Sequence, residues 1–487
     1  NEVNVMNQEK MFGNLINGEW RISQENKPID VLSPVDGSLV GRLSSMSQKE
    51  LDEAIATAKC AQKSWAAYPV YRKAQLMYKA ADLLEQKVDE IADCLVMEIA
   101  KDRKSAVSEV VRSADLLRYT ADVGKSLQGE AIFGDSFPGG SRDKMSCVTR
   151  VPVGTVLAIS PFNYPVNLAI SKIGPALMGG NTVIFKPATQ GAVSALMMVE
   201  ALQQAGLPAG VLNTVTGLGS VIGDYVVSHK DVDFINFTGS TEVGKHISSL
   251  TSMTPVIMEL GGKDAAIVLE DADLDFAADN IVDGAYSYSG QRCTAVKRIL
   301  VLESVADQLI ERLKTRIERL KVGDPREAGV TVTPLVSKKS ADFVENLMRT
   351  AVEKGAHIVT GGEREGNLLH PTLLDHVTTD MDIAWVEPFG PVLPVIRVKS
   401  VEEAIEIANQ SEYGLQSSVF TNNLNKAFAI AGQLEVGTVQ INNKPERGPD
   451  NFPFLGVKSS GMGTQGVRYS IESMTRPKAV TINLASN

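Results

Sequence analysis

The sequence contains few of the residues that build metal sites and disulfide frameworks. Its 487 residues include only five histidines and four cysteines. No two cysteines are spaced as C-x-x-C, which excludes a zinc ribbon and a thioredoxin motif. The histidines, at positions 229, 246, 357, 370 and 376, do not follow the spacing of known metal-ligand motifs. No bound metal is therefore expected.

Long apolar runs and an excess of positive charge are also missing. No run of about 18 apolar residues occurs, so no membrane-spanning segment is expected. The net charge of −10 disfavours nucleic acid and anionic membrane surfaces as partners. The first residues are polar and lack the apolar core of a secretion signal. Together with the small number of cysteines, this favours a cytoplasmic location.

The composition and the periodicity indicate a folded protein of several domains. Hydrophobic residues make up 44% and charged residues 22%, as in ordinary globular proteins. From Ser47, which forms a capping-box pattern with Glu50, to about Gln128, apolar residues recur at helical spacing. Residues 128–150 are rich in glycine and alternate in polarity, which predicts a β-hairpin that leaves the domain body.

After residue 150, apolar strands alternate with helices. Strands are predicted at 155–160, 181–186, 211–217, 233–239, 264–270, 298–303, 392–398 and 417–421. Such alternation is typical of βαβ units and parallel sheets, so the predicted fold class is α/β with two α/β domains in succession. Residues 478–484 alternate like an exposed strand.

Three residues could carry chemistry, although each also has a purely structural interpretation. Cys293 lies beside Arg292, whose charge would lower the pKa of the thiol, but a lone cysteine is commonly a buried apolar residue. Glu259 lies between apolar residues and could be a desolvated general base or a member of a salt bridge. Asn163 follows a parallel strand and could donate to an oxyanion or serve as a turn residue.

The segment FTGSTEVGKH, at 237–246, nearly matches the phosphate-binding loop of nucleotide triphosphatases. Gly239, Gly244 and Lys245 fit the pattern, but His246 stands where a Ser or Thr must bind Mg²⁺. A strand that leads glycine-rich backbone into a helix N-terminus still suits a phosphate group, while a plain βα turn is the alternative. The segment GLGSVIG, at 217–223, has the same ambiguity.

Together these motifs resemble those of the aldehyde dehydrogenase superfamily. Asn163 in N-Y-P, Glu259 in M-E-L-G-G-K, Cys293 in G-Q-R-C, and E-P-F-G-P at 387–391 occur in the order found in that family. The resemblance extends from about residue 17 to residue 477. It implies a Rossmann-like cofactor-binding domain at 1–127 and 151–259, an α/β catalytic domain at 260–443, and a protruding β arm for oligomerisation at 128–150 and 468–487. It also implies a homotetramer built as a dimer of dimers.

The resemblance assigns roles to the candidate residues. Cys293 would attack the aldehyde carbon, Asn163 would hold the oxyanion, and Glu259 would activate the water that hydrolyses the thioester. The residues assigned to cofactor binding are Lys186, Thr189, Gly219, Asp224, Gly239, Ser240, Gly244, Glu387 and Phe389. An inactive binding protein on the same scaffold is a competing interpretation, but such a protein should have lost Cys293 or Glu259.

The position of Thr189 bears on the choice of cofactor. In family members that prefer NAD, a Glu often stands there, and its carboxylate would repel a 2′-phosphate. Thr189 removes that repulsion and Lys186 adds a positive charge, so NADP is favoured without excluding NAD.

Four residues match substrate-binding positions of the family members that oxidise D-glyceraldehyde 3-phosphate irreversibly to 3-phosphoglycerate. These residues are Arg112, Tyr164, Arg292 and Arg447. One guanidinium can donate two parallel hydrogen bonds to phosphate oxygens, although each Arg could instead form a surface ion pair. Arg468 is a further candidate neighbour of the phosphate. The alternative substrate is another small anionic aldehyde, such as succinic semialdehyde or lactaldehyde.

Overall fold

The computed structural model describes residues 10–484, so the outer limits of the expected domains at residues 1 and 487 lie outside the described residues. Fourteen α-helices lie in this range. They are α1 (Gln48–Ala66), α2 (Val70–Gln86), α3 (Val88–Ile99), α4 (Arg103–Ser126), α5 (Asn167–Met178), α6 (Ala192–Gln204), α7 (Gly219–Val227), α8 (Thr241–Leu250), α9 (Leu274–Tyr286), α10 (Glu303–Ile317), α11 (Lys338–Glu353), α12 (Val401–Asn409), α13 (Leu424–Ala431) and α14 (Val467–Ser473). The capping box expected at Ser47 and Glu50 is present at the start of α1.

Twenty-five strands lie between residues 10 and 484. They are β1 (Met11–Phe12), β2 (Asn14–Ile16), β3 (Glu19–Arg21), β4 (Ile29–Leu32), β5 (Leu39–Leu43), β6 (Glu130–Phe133), β7 (Lys144–Pro152), β8 (Thr155–Ile159), β9 (Thr182–Lys186), β10 (Leu212–Thr214), β11 (Phe234–Thr238), β12 (Val256–Glu259), β13 (Ala265–Val268), β14 (Arg298–Leu302), β15 (His357–Thr360), β16 (Arg364–Glu365), β17 (Leu368–Leu369), β18 (Thr372–Asp375), β19 (Val392–Val398), β20 (Tyr413–Gly414), β21 (Gln416–Phe420), β22 (Thr438–Ile441), β23 (Val457–Lys458), β24 (Gly461–Met462) and β25 (Thr475–Asn483).

The first large sheet has six strands in the order β10-β9-β8-β11-β12-β24. The first five are parallel, and β24 is antiparallel to β12. Val156 and Ala158 pack in the same cluster as α2 to α6, whereas Leu157 and Ile159 pack in the cluster that contains α1, α7 and α8. Because successive residues of a strand point to opposite faces, both faces of this sheet are covered. The continuous apolar strand at 155–160 is explained by this burial.

The second large sheet has seven strands in the order β15-β18-β19-β14-β13-β21-β22. Its neighbours are parallel except for β15, which runs antiparallel to β18. Helices α9 to α12 contribute apolar residues to one cluster with these strands. The predicted α/β fold class with two parallel sheets is therefore confirmed.

A third, smaller sheet is antiparallel and has the order β25-β7-β6. The hairpin expected at 128–150 is formed by β6 and β7, and the strand expected at 478–484 is the later part of β25, which pairs with β7 along its whole length. Most residues of this sheet are exposed or half-buried.

The chain between the second sheet and β25 returns to the first sheet. β24 pairs with β12, placing Gly461 opposite Glu259. This pairing brings residues 444–467, which follow the expected catalytic domain, beside the carboxyl end of β12. Within residues 10–484 no helix is both long and apolar enough to cross a lipid bilayer.

Candidate active site

Cys293 and Asn163 are brought together between the two large sheets. Asn163 is buried just after β8, and its Nδ2 donates to the carbonyl oxygen of Gln291 at 2.9 Å. Gln291 is itself buried, whereas Cys293, two residues later, is partly exposed. The backbone carbonyl of Asn163 accepts a hydrogen bond from Lys101 at 2.7 Å. The amide of Asn163 is thus held against the segment that carries the thiol.

The electrostatic environment of Cys293 differs from the sequence-based expectation. Burial raises the pKa of its thiol to about 11. Lys297 and Arg447 lower this value, while Glu259 and Asp264 raise it. The expectation of a lowered thiol pKa is therefore wrong, and Arg292 is not among the charges with the largest effect on the sulfur. The guanidinium of Arg292 instead donates to the carbonyl oxygen of Gly284.

Glu259 is a buried carboxylate at the end of β12. Its two oxygens accept from Nη1 of Arg447 at 2.7 and 2.8 Å, and Oε2 also accepts from the Thr238 hydroxyl at 2.8 Å. Burial by itself would raise the pKa of Glu259, but the charges of Arg447 and Lys172 outweigh it and hold the pKa below its usual value. Burial also lowers the pKa of Lys172 to about 8. The carboxylate is therefore ionised near neutral pH, with both oxygens engaged by Arg447 in this structure.

Arg447 and Arg112 lie in one hydrogen-bonded network. Nη2 of Arg447 donates to Gln465 at 2.7 Å, and its guanidinium lies 4.6 Å from the centre of the Phe454 ring. Nη2 of Arg112 donates to the backbone carbonyl of Arg447 at 2.9 Å. Arg112 also binds both carboxylate oxygens of Asp450, at 2.8 and 2.9 Å. Both guanidiniums are therefore held in place by carboxylates of the protein.

The remaining candidate substrate residues surround a cleft of about 340 Å³. Arg112 and Tyr164 line it, together with Asp283. The charge of Arg292 acts on Asp283, which places Arg292 near the same cleft. Arg468, by contrast, is exposed, pairs with Glu472 at 2.8 Å and lines a different surface depression. Arg112, Tyr164 and Arg292 thus lie at this cleft, and Arg447 is joined to it through its backbone carbonyl, which accepts from Arg112. Arg468 lies apart from them.

The candidate cofactor residues follow the carboxyl ends of the strands of the first sheet. Lys186 ends β9, and Thr189 is exposed three residues later. Burial lowers the pKa of Lys186, and no hydrogen-bond partner for its ammonium occurs among residues 10–484. Gly219 begins α7 beside open space, since a Cβ added there would meet nothing within 4 Å. These residues fit a nucleotide phosphate, because an unpaired cation and open space lie at the same edge of the sheet.

The N-terminus of α8 completes this edge. Gly239 ends the turn after β11, and Ser240 caps the helix by accepting from the backbone N–H of Val243 at 3.3 Å. A Cβ on Gly244 would lie 2.3 Å from the Leu260 side chain, so this glycine is needed for packing. Asp224, in α7, accepts from Nε2 of the His246 ring at 2.9 Å.

Glu387 and Phe389 lie on the opposite side, beside the nucleophile segment. Glu387 Oε2 accepts from the backbone N–H of Gly262 and from Lys297, both at 2.7 Å. The ring of Phe389 meets that of Phe162 edge-on, with 5.9 Å between the centres. Phe389 therefore lies beside Phe162, the chain neighbour of Asn163. Glu387 is linked through Lys297 to the backbone carbonyl of Cys293.

The triphosphatase interpretation fails on geometry. Helix α8 begins at Thr241, so Gly244 and Lys245 lie inside the helix and not in a loop that could wrap a triphosphate. The Lys245 ammonium lies 3.5 Å from Glu412 on the surface.

The comparison with known proteins agrees with this arrangement. Residues 20–480 match the aldehyde dehydrogenase family. The chain belongs to the aldehyde dehydrogenase family. Both Cys293 and Glu259, the residues that an inactive aldehyde dehydrogenase should have lost, are present.

Similar aldehyde dehydrogenases share one description. The NADP-dependent glyceraldehyde-3-phosphate dehydrogenase of Streptococcus equinus is 58% identical over 98% of this chain and 99% of its own length. The protein of the same name from Triticum aestivum is 53% identical over 96% of this chain and 95% of its own. The crystal structure of the NADP-dependent glyceraldehyde-3-phosphate dehydrogenase of Bacillus halodurans C-125, complexed with NADP, has a TM-score of 0.96 at 53% identity. That match covers 97% of this chain and 99% of the other.

Sequence reasoning missed several polar residues of this aldehyde dehydrogenase site. They are the half-buried Asp450 and the buried residues Lys101, Lys172, Thr238, Lys297 and Gln465. Lys297 could have been noticed, because it lies four residues after Cys293 in the same polar segment. The others are distant in sequence from the residues that they contact, so no local pattern indicates them.

The raised pKa of Cys293 gives a testable expectation for the protein without cofactor. The rate of alkylation of Cys293 by iodoacetamide should still be rising at about pH 10, because only the thiolate reacts. The rate is measured by mass spectrometry of the peptide that contains Cys293. The urea-unfolded protein is the control, and its rate should be half-maximal near the ordinary thiol pKa of about 8.5 and nearly constant by about pH 10. A plateau of the folded protein near pH 9 would contradict the assignment.

Proposed function

We propose that this aldehyde dehydrogenase oxidises D-glyceraldehyde 3-phosphate to 3-phosphoglycerate, with NADP as hydride acceptor and water as acyl acceptor. The observation that carries the proposal is the network that joins Arg112 and Arg447 to Glu259, beside Cys293 and Asn163. Arg447 contacts Glu259, and Arg112 donates to the backbone carbonyl of Arg447, which supports a phosphate-binding role for both guanidiniums near the proposed base. The names of the most similar relatives support the same substrate and cofactor.

In the first step, Sγ of Cys293 attacks the aldehyde carbon and forms a thiohemiacetal. The thiol releases its proton to solvent, which is the proton of the overall balance, and the charges of Lys297 and Arg447 favour the resulting thiolate, which burial opposes. The Asn163 amide and the backbone N–H of Cys293 donate to the oxygen of the former aldehyde. Asn163 has one amide hydrogen bonded to Gln291, which leaves its second N–H for that oxygen.

NADP supplies the hydride acceptor that converts the thiohemiacetal to a thioester. We propose that Lys186 and Thr189 hold its 2′-phosphate, and that Gly219, Gly239 and Ser240 lie at the turn and helix starts beside its other phosphates. Gly244 and Asp224 would support these helices, Gly244 by packing against Leu260 and Asp224 by accepting from His246. Glu387 and Phe389 would hold the nicotinamide end. NAD remains usable, because Thr189 carries no charge that rejects it.

Glu259 then takes a proton from water, whose oxygen attacks the thioester and releases the carboxylic acid and the Cys293 thiol. The overall balance is aldehyde, NADP⁺ and water giving acid, NADPH and a proton. In this structure Arg447 is paired with Glu259. A substrate phosphate would compete for Arg447, and loss of that pairing would raise the basicity of Glu259 while Lys172 and Thr238 keep it in place.

Arg112, Tyr164 and Arg292 would complete the phosphate-binding side of the cleft. A doubly charged phosphate suits several guanidiniums better than a neutral aldehyde does, because each guanidinium can donate two hydrogen bonds. We propose that this charge sets the specificity for phosphorylated aldehydes.

We further propose that the arm formed by β6, β7 and β25 joins subunits into a homotetramer, a dimer of dimers. The exposed apolar side chains of Ile132, Val480 and Ile482 support a contact there. The domain boundaries expected at 127, 150, 259 and 443 remain part of this proposal. A cytoplasmic location is supported by all four cysteines being free thiols.

The substrate is tested by following absorbance of reduced nicotinamide with glyceraldehyde 3-phosphate and NADP, without inorganic phosphate. Turnover is expected. Replacing Arg112 by Met should lower kcat/KM for this substrate about 10- to 100-fold, because hydrogen bonds to a charged group are lost. The matched control is Arg118→Met on the same helix, since Arg118 forms exposed ion pairs with Asp82 and Glu85.

Unphosphorylated D-glyceraldehyde distinguishes phosphate binding from a general defect. Its kcat/KM should be low with the wild type and nearly unchanged by Arg112→Met. Equal losses for both aldehydes would contradict the role of Arg112. Faster turnover of succinic semialdehyde or lactaldehyde would favour the alternative substrates.

Glu259→Gln should separate hydride transfer from hydrolysis. A burst of about one reduced cofactor per subunit is expected, followed by a steady-state rate at least about 100-fold below the wild type, because a general base has been removed. Stopped-flow absorbance measures both phases. Glu85→Gln, a surface substitution, serves as the control. An unchanged steady-state rate would refute the role of Glu259.

Thr189→Glu should weaken the use of NADP. The carboxylate would repel the 2′-phosphate and raise KM for NADP about tenfold or more, while KM for NAD stays the same or falls. Both constants are measured with saturating aldehyde, and Thr189→Ser, which keeps the hydroxyl, is the control. If neither KM changes in Thr189→Glu, the proposed contact between Thr189 and the 2′-phosphate is contradicted.

A further inference from the structure

Lys297 is a buried lysine that contacts two parts of the site at once. Only 2% of its side chain is exposed. Its ammonium donates to the backbone carbonyl of Cys293 and, at 2.7 Å, to Glu387 Oε2. Glu387 accepts in addition from the backbone N–H of Gly262. A single side chain therefore links the segment of the nucleophile to the segments of Glu387 and Gly262.

The backbone of Lys297 is fixed by the second large sheet. Its N–H donates to the carbonyl oxygen of Asp264 at 2.9 Å, immediately before β13 and β14 pair from Ala265 and Arg298. The side chain reaches back four residues to the carbonyl of Cys293. A buried charge-assisted hydrogen bond has a defined geometry. The sheet therefore fixes Lys297, and Lys297 in turn fixes the position of the Cys293 backbone.

The charges around the sulfur can be followed group by group. Lys297 and Arg447 favour the thiolate of Cys293, whereas Glu259 and Asp264 oppose it. Lys172 also interacts with Cys293. Lys297 is thus a positive group acting on the sulfur from the same chain segment, the function that sequence reasoning had given to Arg292.

The charges around Lys297 itself are mostly positive or neutralised. Lys263 and Arg298 carry positive charges near Lys297. Burial, together with the charges of Arg298 and Lys297, lowers the pKa of Lys263 well below its usual value. Burial raises the pKa of Asp264 to about 7, so this carboxyl is partly protonated near neutral pH. Glu387 is therefore the anion in direct contact that balances the Lys297 ammonium.

We propose that Lys297 is a positioning residue: it holds the backbone of Cys293 in the site and supplies positive charge to the thiolate, and Glu387 controls how strongly that charge acts on the sulfur. The inference rests on the proposed function only in taking Cys293 as the nucleophile. It does not depend on the identity of the aldehyde or of the cofactor.

The test uses the full-length protein without cofactor and measures the alkylation rate of Cys293 by iodoacetamide as a function of pH. Lys297→Met should move the curve upward by about one pH unit, because a neighbouring positive charge is lost. The rate at about pH 8 should fall about fivefold to tenfold, since the remaining thiolate is somewhat more nucleophilic. Lys297→Arg, which keeps the charge, should restore most of the shift.

The control is Lys87→Met. Lys87 forms a half-buried ion pair with Glu200 at 3.0 Å, away from Cys293, so its loss tests the removal of any such lysine. Its alkylation curve should match that of the wild type. Thermal unfolding of every variant shows whether it is folded.

A second variant covers the case in which Lys297→Met does not fold. Glu387→Gln removes the anion that balances Lys297 and should move the curve downward, opposite to Lys297→Met. A wild-type curve for folded Lys297→Met, or for Glu387→Gln, would overturn the proposal. If the variants shift the alkylation curve as expected but the wild type does not oxidise glyceraldehyde 3-phosphate, the role of Lys297 stands and only the proposed substrate is refuted.

Discussion

The site depends on keeping one buried carboxylate charged. Glu259 ends a strand of the first sheet, where burial alone would favour its protonated form. The guanidinium of Arg447 prevents this by contacting both of its oxygens. Arg447 lies 188 residues further along the chain and reaches Glu259 because β24 pairs with β12. The return of the carboxyl-terminal segment to the first sheet is therefore a requirement of the chemistry as well as of the fold.

The same group of charges acts on the nucleophile in two directions. Burial and the carboxylates of Glu259 and Asp264 raise the pKa of the Cys293 thiol, whereas Lys297 and Arg447 lower it. At neutral pH the sulfur is therefore held mainly as the thiol. Because Arg447 contacts Glu259 and acts on Cys293, the proposed exchange of Arg447 to a substrate phosphate would alter both residues together.

Part of the candidate site could be predicted because its residues lie in short, recognisable segments. Asn163 lies in the turn after β8, a strand that the apolar pattern indicates, and Glu259 lies in the motif M-E-L-G-G-K at the end of β12. The cofactor edge follows from the same rule, since the carboxyl ends of β9 and β11 lead to Thr189 and Ser240. The partners of Asn163 and Glu259 could not be predicted, because Lys101 and Thr238 contact them across separations of 62 and 21 residues.

The sequence by itself determined the fold class, the hairpin at 128–150 and the family, because strand periodicity, turn residues and motif order are properties of short segments. Tertiary structure decided the charges at the site. Arg292, adjacent to Cys293 along the chain, turns to the carbonyl of Gly284, while Lys297 and Arg447 act on the sulfur. The physical reason is that electrostatic interactions depend on distance and burial in space, and neither is a function of separation along the chain.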